Sequence, residues 1–266
     1  MNSYTNTSLI DTHIHLDFYN ESQLLQLEDL PNDGVSGVIA VSMNLQSSRR
    51  NLELARLYPT LVHPAFGFHP EQPLPTSEEV EELLTWMETH QHDMVAVGEV
   101  GLPYYSQLDA KETGQPFDQA PYVTMLERFI SFAAAYHKPI ILHAVYEDAN
   151  IACSLLEQYG VTRAHFHWFK GSPETIERMA NNGYYISFTP DLLYEAEIQE
   201  IARCYPKDQV MVETDGPWPF EGPFEGQMTH PRMVSEVIEA WSQIHDINVD
   251  AARRMIYANT QRFYGI

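Results

Sequence analysis

The chain has 266 residues, 44% of them hydrophobic, which is enough to bury a large core and falls in the size range of one α/β barrel. Its 37 acidic and 15 basic residues give a formal net charge of −22, which repels polyanions unless a local basic patch or bound cations intervene. Its two cysteines, Cys153 and Cys204, lie far apart and suggest neither a disulfide framework nor a cysteine-based metal site.

The N-terminal residues MNSYTNTSLID lack a basic segment followed by a long apolar core, and no later apolar run is long enough to cross a bilayer. We therefore expect a cytoplasmic protein that does not contact a membrane. No feature of the sequence identifies a protein partner. A solvated acidic surface that keeps the protein soluble is the simplest explanation of its charge.

Short Val- and Ile-rich runs alternate along the chain with longer stretches whose apolar residues recur every three or four positions. The short runs predict eight strands, at residues 9–15, 35–43, 61–69, 94–102, 139–145, 163–169, 184–189 and 210–215. The longer stretches predict nine helices, at residues 21–30, 47–58, 77–90, 121–137, 147–159, 173–182, 192–204, 231–244 and 250–258. This alternation predicts a parallel (β/α)8 TIM barrel, with residues 1–266 as a single domain.

Metal-competent side chains occur near the ends of several predicted strands. In the first strand, His13 and His15 are two residues apart, so they share a face and can point together toward the barrel axis. Taken alone, this pair is only modest evidence for a metal, because hydrogen-bonded core or surface histidines are the more frequent explanation. The later strand ends add four more candidates: Glu99, His143, His167 and Asp215.

The carboxylates among these candidates would lose solvation in a barrel mouth, so they need compensating charge. The predicted strands supply few basic residues, only Arg163 at the start of the sixth, and divalent metals are the natural alternative. Four imidazoles and two carboxylates can hold two ions if one carboxylate bridges them. This mixed ligand set leaves the metal open among Mg²⁺, Mn²⁺, Zn²⁺ and similar ions.

Seven short motifs follow one another along nearly the whole chain. They are DTHIHLD at 11–17, GFHPE at 67–71, GEVGLPYY at 98–105, LHA around His143, HWFKGS at 167–172, ETDGPW at 213–218 and ANTQRFYGI at 258–266. This ordered set resembles the TatD family of metal-dependent hydrolases, a branch of the amidohydrolase superfamily.

The resemblance implies a role for each candidate ligand. One ion would be held by His13, His15 and Asp215, a second by His143 and His167, and Glu99 would bridge the two. The family is associated with deoxyribonuclease activity, often exonucleolytic and supported by Mg²⁺ or similar ions. Asp215 would take the proton from the attacking water.

Three neighbouring residues have two interpretations each. Glu213 lies two residues before Asp215 and is therefore expected on the same face of the strand. It either assists catalysis by orienting water or substrate, or is a structural carboxylate bonded to backbone donors. His69 either touches substrate or braces a loop. His165 shares the parity of His167 and lies deeper, as support for the site or as a buried hydrogen-bonded histidine, and is not predicted to be a ligand.

The chain departs from the TatD pattern where phosphate contacts are expected. Pro103 stands where relatives often have Asp, Val145 replaces a usual Arg, and the segment 225–231 is less basic than is typical. Lys170 remains as a candidate phosphate contact, although an exposed loop lysine is the alternative. These losses argue against tight duplex binding and favour a single-stranded end, a short oligonucleotide or another small substrate.

Five aromatic residues near the predicted mouth either stack on bases or pack against the protein: Tyr104, Tyr105, Trp168, Trp218 and Phe220. The leading functional hypothesis is a two-metal phosphodiester hydrolase acting on DNA ends or short oligonucleotides. A second hypothesis keeps the same metals but cleaves a carboxylic ester, lactone or amide, because fold does not fix the substrate. A third is a barrel that binds metal or a partner without turnover.

Overall fold

The computed structural model describes residues 8–266. The first seven residues, which belong to the N-terminal segment used above to predict the absence of an export signal, lie outside the described residues. Within residues 8–266, no helix combines the length and the apolar character that crossing a bilayer requires.

Eight parallel strands form the centre of the described chain, and each pairs with its sequence neighbours in the order β1 to β8. They are β1 (Leu9–Ile14), β2 (Val35–Ala40), β3 (Val62–Phe66), β4 (Ala96–Gly101), β5 (Ile140–His143), β6 (Ala164–Phe166), β7 (Tyr185–Phe188) and β8 (Val210–Val212). A parallel bridge between Ile14 and Gly216 joins β1 to the segment that follows β8. The sheet is therefore a nearly closed barrel, and the predicted TIM-barrel fold is confirmed.

Ten α-helices alternate with these strands in residues 8–266. They are α1 (Glu21–Leu24), α2 (Leu45–Leu57), α3 (Ser77–Thr89), α4 (Tyr104–Glu112), α5 (Ala120–Ala135), α6 (Glu147–Tyr159), α7 (Pro173–Asn181), α8 (Ala196–Cys204), α9 (Val234–Ile244) and α10 (Val249–Tyr264). Most fall where the hydrophobic periodicity placed them. The helix α4 was not predicted, because its segment has no buried face and reads as a loop.

Besides the last helix, three predicted helices differ from the structure by more than two residues at one end. The first was expected over residues 21–30, but α1 ends at Leu24 and the chain continues as a 3₁₀ helix over Leu25–Asp29, shortly before Pro31. The helices predicted from residues 192 and 231 begin later, because a proline-initiated 3₁₀ turn, Pro190–Leu193 or Pro231–Met233, precedes each.

The last helix continues well beyond the predicted end at residue 258. Its final turn carries Phe263 and Tyr264, which pack among the apolar side chains that fill the barrel interior. Gly265 then ends α10 in the left-handed conformation, with a φ of 76°. Side chains of this helix also bond to the carbonyl oxygens of Asp208 and Val210 near the start of β8. The C-terminal helix therefore closes the amino-terminal end of the barrel, and the opposite end remains as the site-bearing face.

Close backbone approach at the end of β4 requires glycine. A Cβ atom on Gly101 would overlap the carbonyl group of His143, the last residue of β5. Because backbone atoms cannot give way as a flexible side chain can, any side chain here would separate the two strand ends.

We predict that Gly101→Ala destabilises the protein by at least about 3 kcal/mol, because it forces this clash. Gly114→Ala is the matched control, because Gly114 also has positive φ but a Cβ atom added there would meet no other atom within 4 Å. It should cost only about 1 kcal/mol, the backbone penalty alone. Equal losses in urea unfolding of the two variants would contradict this explanation.

Candidate metal centre

The six predicted ligands meet at the carboxyl end of the barrel. His13 and Glu99 lie within β1 and β4, and His143 is the last residue of β5. His15, His167 and Asp215 follow directly after β1, β6 and β8 within three residues of the strand end. None of the six is more than 9% exposed. The structure thus brings together side chains that lie up to 202 positions apart in the sequence, the separation of His13 and Asp215.

Glu99 lies at the centre of this group, and its two carboxylate oxygens face different imidazoles. Its Oε2 is 3.0 Å from Nε2 of His13 and 3.3 Å from Nε2 of His15. Its Oε1 is 2.7 Å from Nε2 of His167 and 3.1 Å from Nδ1 of His143. A carboxylate whose two oxygens face different imidazoles has an arrangement that can bridge two ions.

Asp215 completes the first of these two groups. Its Oδ1 lies 3.4 Å from Nε2 of both His13 and His15. Its backbone N–H donates to the carbonyl oxygen of His13 at 2.9 Å, so the segment after β8 is attached to β1 beside the site. Asp215 has a φ of 49°, a left-handed conformation that Asp adopts more readily than most residues.

A simple alternation of side chains does not explain why Glu99 points inward. Its neighbours Val97 and Val100 pack in the outer core between strands and helices, whereas Ala96 packs inside the barrel. Strict alternation from Ala96 would turn Glu99 outward together with Val97. The β4–β5 pairing shifts register between Val97 and Val100, and this irregularity directs Glu99 into the barrel mouth.

The side chains in this centre fit divalent cations. Among the described residues, Nε2 of His13, Oε2 of Glu99 and Oδ1 of Asp215 are buried without a hydrogen-bond partner, although they converge on one another. Buried polar atoms normally have partners, so unpartnered donor atoms that converge indicate a ligand. Imidazole nitrogens and carboxylate oxygens together suit Zn²⁺, Mn²⁺ and related ions.

The ionisable groups of the centre shift one another's pKa values. Burial lowers the pKa of His15, but Asp215 and Glu99 raise it more, to about 10. Burial raises the pKa of Glu99, but the histidines around it, led by His167, hold it well below its usual range. Imidazoles and carboxylates thus favour each other's charged forms, and a metal that binds to an imidazole nitrogen would compete with its proton.

Glu213 lies beneath His167 and is fully buried. Its Oε1 accepts a hydrogen bond from the backbone N–H of Trp168 at 2.8 Å and lies 3.5 Å from Nδ1 of His167. Its Oε2 accepts from the hydroxyl of Ser187 at 2.5 Å. A carboxylate on the far nitrogen of an imidazole fixes the orientation of the ring.

Glu71 has a similar position beside His143, and sequence reasoning did not single it out. Its Oε1 lies 3.4 Å from Nε2 of His143. The same carboxylate accepts from the backbone N–H groups of Tyr105 and Ser106, at 2.7 and 2.8 Å, at the start of α4. Burial raises the pKa of Glu71, but His143 and Ser106 bring it down to about 2. The GFHPE motif contained this residue, but only the fold reveals its partners.

The two predicted substrate contacts lie in different environments. His69 is buried, and its Nδ1 accepts from the backbone N–H of Glu71 at 3.1 Å, so its proton is on Nε2. That Nε2 is 3.4 Å from Oε1 of Glu99, which places His69 against the metal centre. Lys170 is only partly buried, and its Nζ is 5.7 Å from the ring centroid of Trp168.

The aromatic residues near the mouth fall into two groups. Tyr105 and Trp218 are 47% and 59% exposed, and Phe18, which was not predicted, is 56% exposed with its ring 5.6 Å from that of His15. By contrast, Phe220 is buried against Trp168, whose indole N–H donates to Asp191 at 2.5 Å. The remaining predicted aromatic residue, Tyr104, is partly buried. Exposed rings are therefore available at the mouth, but they are not all the predicted ones.

Comparison with known proteins decides the family. The family model described as "TatD related DNase" matches residues 10–265. The chain belongs to the TatD family. A metal-dependent hydrolase of Haemophilus influenzae is 37% identical over 256 residues, which cover 96% of this chain and 99% of that protein. The human deoxyribonuclease TATDN3 is 24% identical over an alignment that covers 96% of this chain and 94% of the human protein.

Solved structures share the TatD barrel. The Escherichia coli TatD homologue YjjV superposes with a TM-score of 0.83 at 24% identity, covering 98% of this chain and 99% of that one. A phosphotriesterase homology protein of the same organism, solved with phosphate in its active site, has a TM-score of 0.63 at 16% identity and covers 97% and 99% of the two chains. At these identities the structural matches establish the fold. The chain is therefore a TatD-family metal-dependent hydrolase by sequence and a TIM barrel by structure.

We predict that Glu99→Gln weakens binding of the more loosely held Mn²⁺ ion by more than about 100-fold, because one buried carboxylate faces both donor groups. In the wild type, Mn²⁺ at about 100 times its dissociation constant should stabilise the fold by about 2.7 kcal/mol, and a chelator should remove this gain. Calorimetric titration and thermal unfolding measure the two effects. Glu177→Gln, on the exposed face of α7, is the control and should leave both unchanged.

Proposed function

We propose that this protein is a two-metal phosphodiesterase that removes nucleotides from DNA ends or cleaves short oligonucleotides. The position of Glu99 carries the proposal, because its two oxygens face different pairs of imidazoles at distances of 2.7 to 3.3 Å. The deoxyribonuclease name of the human relative supports the same chemistry. Two-ion sites of this kind are common among enzymes that cleave phosphodiesters.

The proposed ligands divide between two ions. By the family resemblance, one would be held by His13, His15 and Asp215, the other by His143 and His167, with Glu99 shared. Divalent ions bound there would offset charge on a phosphoryl oxygen and make a water more acidic.

The protein's own groups would supply the remaining steps. The Asp215 carboxylate accepts the proton from the attacking water, because it is ionised and lies at the rim of the centre. Glu213 and Glu71 hold the rings of His167 and His143 in place. His69 directs its Nε2 proton into the centre and can donate to a phosphate oxygen.

The mouth favours a flexible, weakly held strand over a duplex. The buried, apolar Val145 occupies the position at which TatD relatives often carry Arg, and the net charge of −22 repels a polyanion. The exposed rings of Phe18, Tyr105 and Trp218 offer stacking surfaces that any unpaired base can use. The proposed substrate is therefore a single-stranded end or a short oligonucleotide.

The same scarcity of cations keeps a second function open, the hydrolysis of a carboxylic ester, lactone or amide. Such a substrate needs no cationic groups to hold a phosphate chain, and the metals can polarise a carbonyl as they polarise a phosphoryl group. An assay panel must therefore contain both bond types.

We predict that Asp215→Asn lowers kcat on a labelled single-stranded oligonucleotide by about 10²- to 10⁴-fold, because an amide cannot accept the proton. Asn tolerates the left-handed backbone at this position, so the fold should persist. Single-turnover cleavage in Mn²⁺ measures the effect, with thermal unfolding as the check on folding.

The same proteins should be tested on duplex DNA, a nitrophenyl phosphodiester and a nitrophenyl ester. Phosphodiester turnover that depends on metal and disappears in the variant is the expected result. Turnover of the carboxylic ester alone would replace the nuclease by the second function. Bound metal with no turnover of any substrate would identify a binding protein instead.

We predict that Lys170→Ala raises KM for the oligonucleotide about fivefold and leaves kcat nearly unchanged, because it removes one charged phosphate contact. The dependence of binding on salt should also become shallower by about one ion. Lys207→Ala makes the same charge change at the exposed, opposite end of the barrel, before β8. Equal effects of the two variants would assign Lys170 no more than a general electrostatic role.

A further inference from the structure

A line of hydrogen-bonded polar side chains crosses the barrel interior beneath the metal centre. The hydroxyl of Tyr264, in the last turn of α10, is 2.8 Å from Nδ1 of His165. The other ring nitrogen, Nε2, is 2.6 Å from the hydroxyl of Ser187, which donates to Glu213 at 2.5 Å. All four residues are at least 95% buried, so solvent does not replace these bonds.

The polar side chains of this line differ from the neighbouring interior side chains, which are apolar. The other strands fill the same region with apolar side chains, among them Ile10, Ile39, Ile141 and Met211. Apolar residues would pack there without any need for partners, and a polar group in such a place is costly unless it is bonded. The polar line has one charged end, Glu213, and this is the end that reaches the metal centre.

The bonds run in one direction. The Ser187 hydroxyl gives its single proton to Oε2 of Glu213. The Ser187 oxygen then accepts from Nε2–H of His165, and in the neutral ring Nδ1 is left to accept from the phenol of Tyr264. Each donor in the line therefore has one acceptor, and the line ends on Oε2 of Glu213.

The other carboxylate oxygen of Glu213, Oε1, connects the hydrogen-bonded line to His167, the proposed metal ligand. Oε1 accepts from the N–H of Trp168, which belongs to the peptide bond that follows His167. Trp168 has a φ of 39°, a conformation that a bulky residue keeps only when its surroundings hold it. If Glu213 moved, both the backbone next to His167 and the contact with its ring would change.

We propose that Tyr264, His165 and Ser187 are positioning residues of the metal centre, which fix Glu213 and through it the orientation of His167. The C-terminal helix would thereby determine how tightly the ion near His167 is held. This inference rests on the metal ligands assigned under the proposed function, but it does not depend on which bond the enzyme cleaves.

The test uses a buried tyrosine that makes an equivalent bond elsewhere. Tyr264→Phe removes the first donor of the line, whereas Tyr205→Phe removes a buried hydroxyl that donates to the carbonyl oxygen of Tyr184 at 2.8 Å. Both variants lose one buried hydrogen bond, so both should lower the denaturation midpoint of the chelator-treated protein similarly. Only Tyr264→Phe should weaken Co²⁺ binding to the full chain, by about fivefold for one of two ions.

Two further measurements separate positioning from packing. The visible absorption of bound Co²⁺ reports ligand geometry, and it should change in Tyr264→Phe and remain that of the wild type in Tyr205→Phe. Ser187→Ala interrupts the line beside Glu213 and should weaken the binding of the same Co²⁺ ion by about 10- to 100-fold. Ser242→Ala, which removes a hydroxyl bonded to the Glu239 carbonyl oxygen in α9, is its control.

The outcomes are distinct from those of the nuclease assay. Co²⁺ affinities and spectra that are the same in Tyr264→Phe and Tyr205→Phe, together with a Ser187→Ala variant that binds as the wild type does, would overturn the positioning role. A wild type that binds Co²⁺ in the expected way but cleaves no phosphodiester would contradict the proposed function and leave this inference standing.

Discussion

The structure depends on the burial of one carboxylate, Glu99, inside a barrel that contains almost no basic side chains. An ionised carboxylate removed from water must be compensated, and within residues 8–266 the side chains that lie within 3.4 Å of its oxygens are imidazoles from β1, β5 and the segments after β1, β3 and β6. Those strands therefore have to meet in one register, with Glu99 between them. The irregular step in β4 that turns Glu99 inward is as necessary to the site as the ligands themselves.

The fold and the location of the candidate site could be predicted because they depend on local signals. Alternating strand and helix periods identified the barrel, and residue types at the strand ends identified His13, Glu99 and Asp215. The supporting groups could not be predicted. Glu71 acts on His143 from another loop, and Tyr264 reaches His165 across 99 positions, so neither partnership leaves a local pattern. The helix α4 was missed for the same reason, because a carboxylate outside its own segment holds its first turn.

Two histidines of the centre, His143 and His167, each contact a further carboxylate, and these two carboxylates belong to different parts of the fold. Glu71 connects His143 to α4, and α4 also presents Tyr105 to the mouth, so this support couples the centre to the substrate side. Glu213 connects His167 to the barrel interior and the C-terminal helix. One support is therefore exposed to changes in the loops that shape the mouth, whereas the other is protected by the packed interior. Loop variation can alter substrate preference through the first without disturbing the second.

The left-handed backbone at Asp215 limits which sequences can evolve there. Residues that tolerate this conformation are few, chiefly glycine, asparagine, aspartate and histidine. Three of these four offer a donor atom near the position of the present carboxylate. Glutamate keeps the charge but fits the backbone poorly, so a substitution that looks conservative in an alignment is not conservative at this position. The backbone conformation and the need for a metal-binding atom thus permit nearly the same few residue types at position 215. Both requirements restrict the substitutions that evolution can accept there.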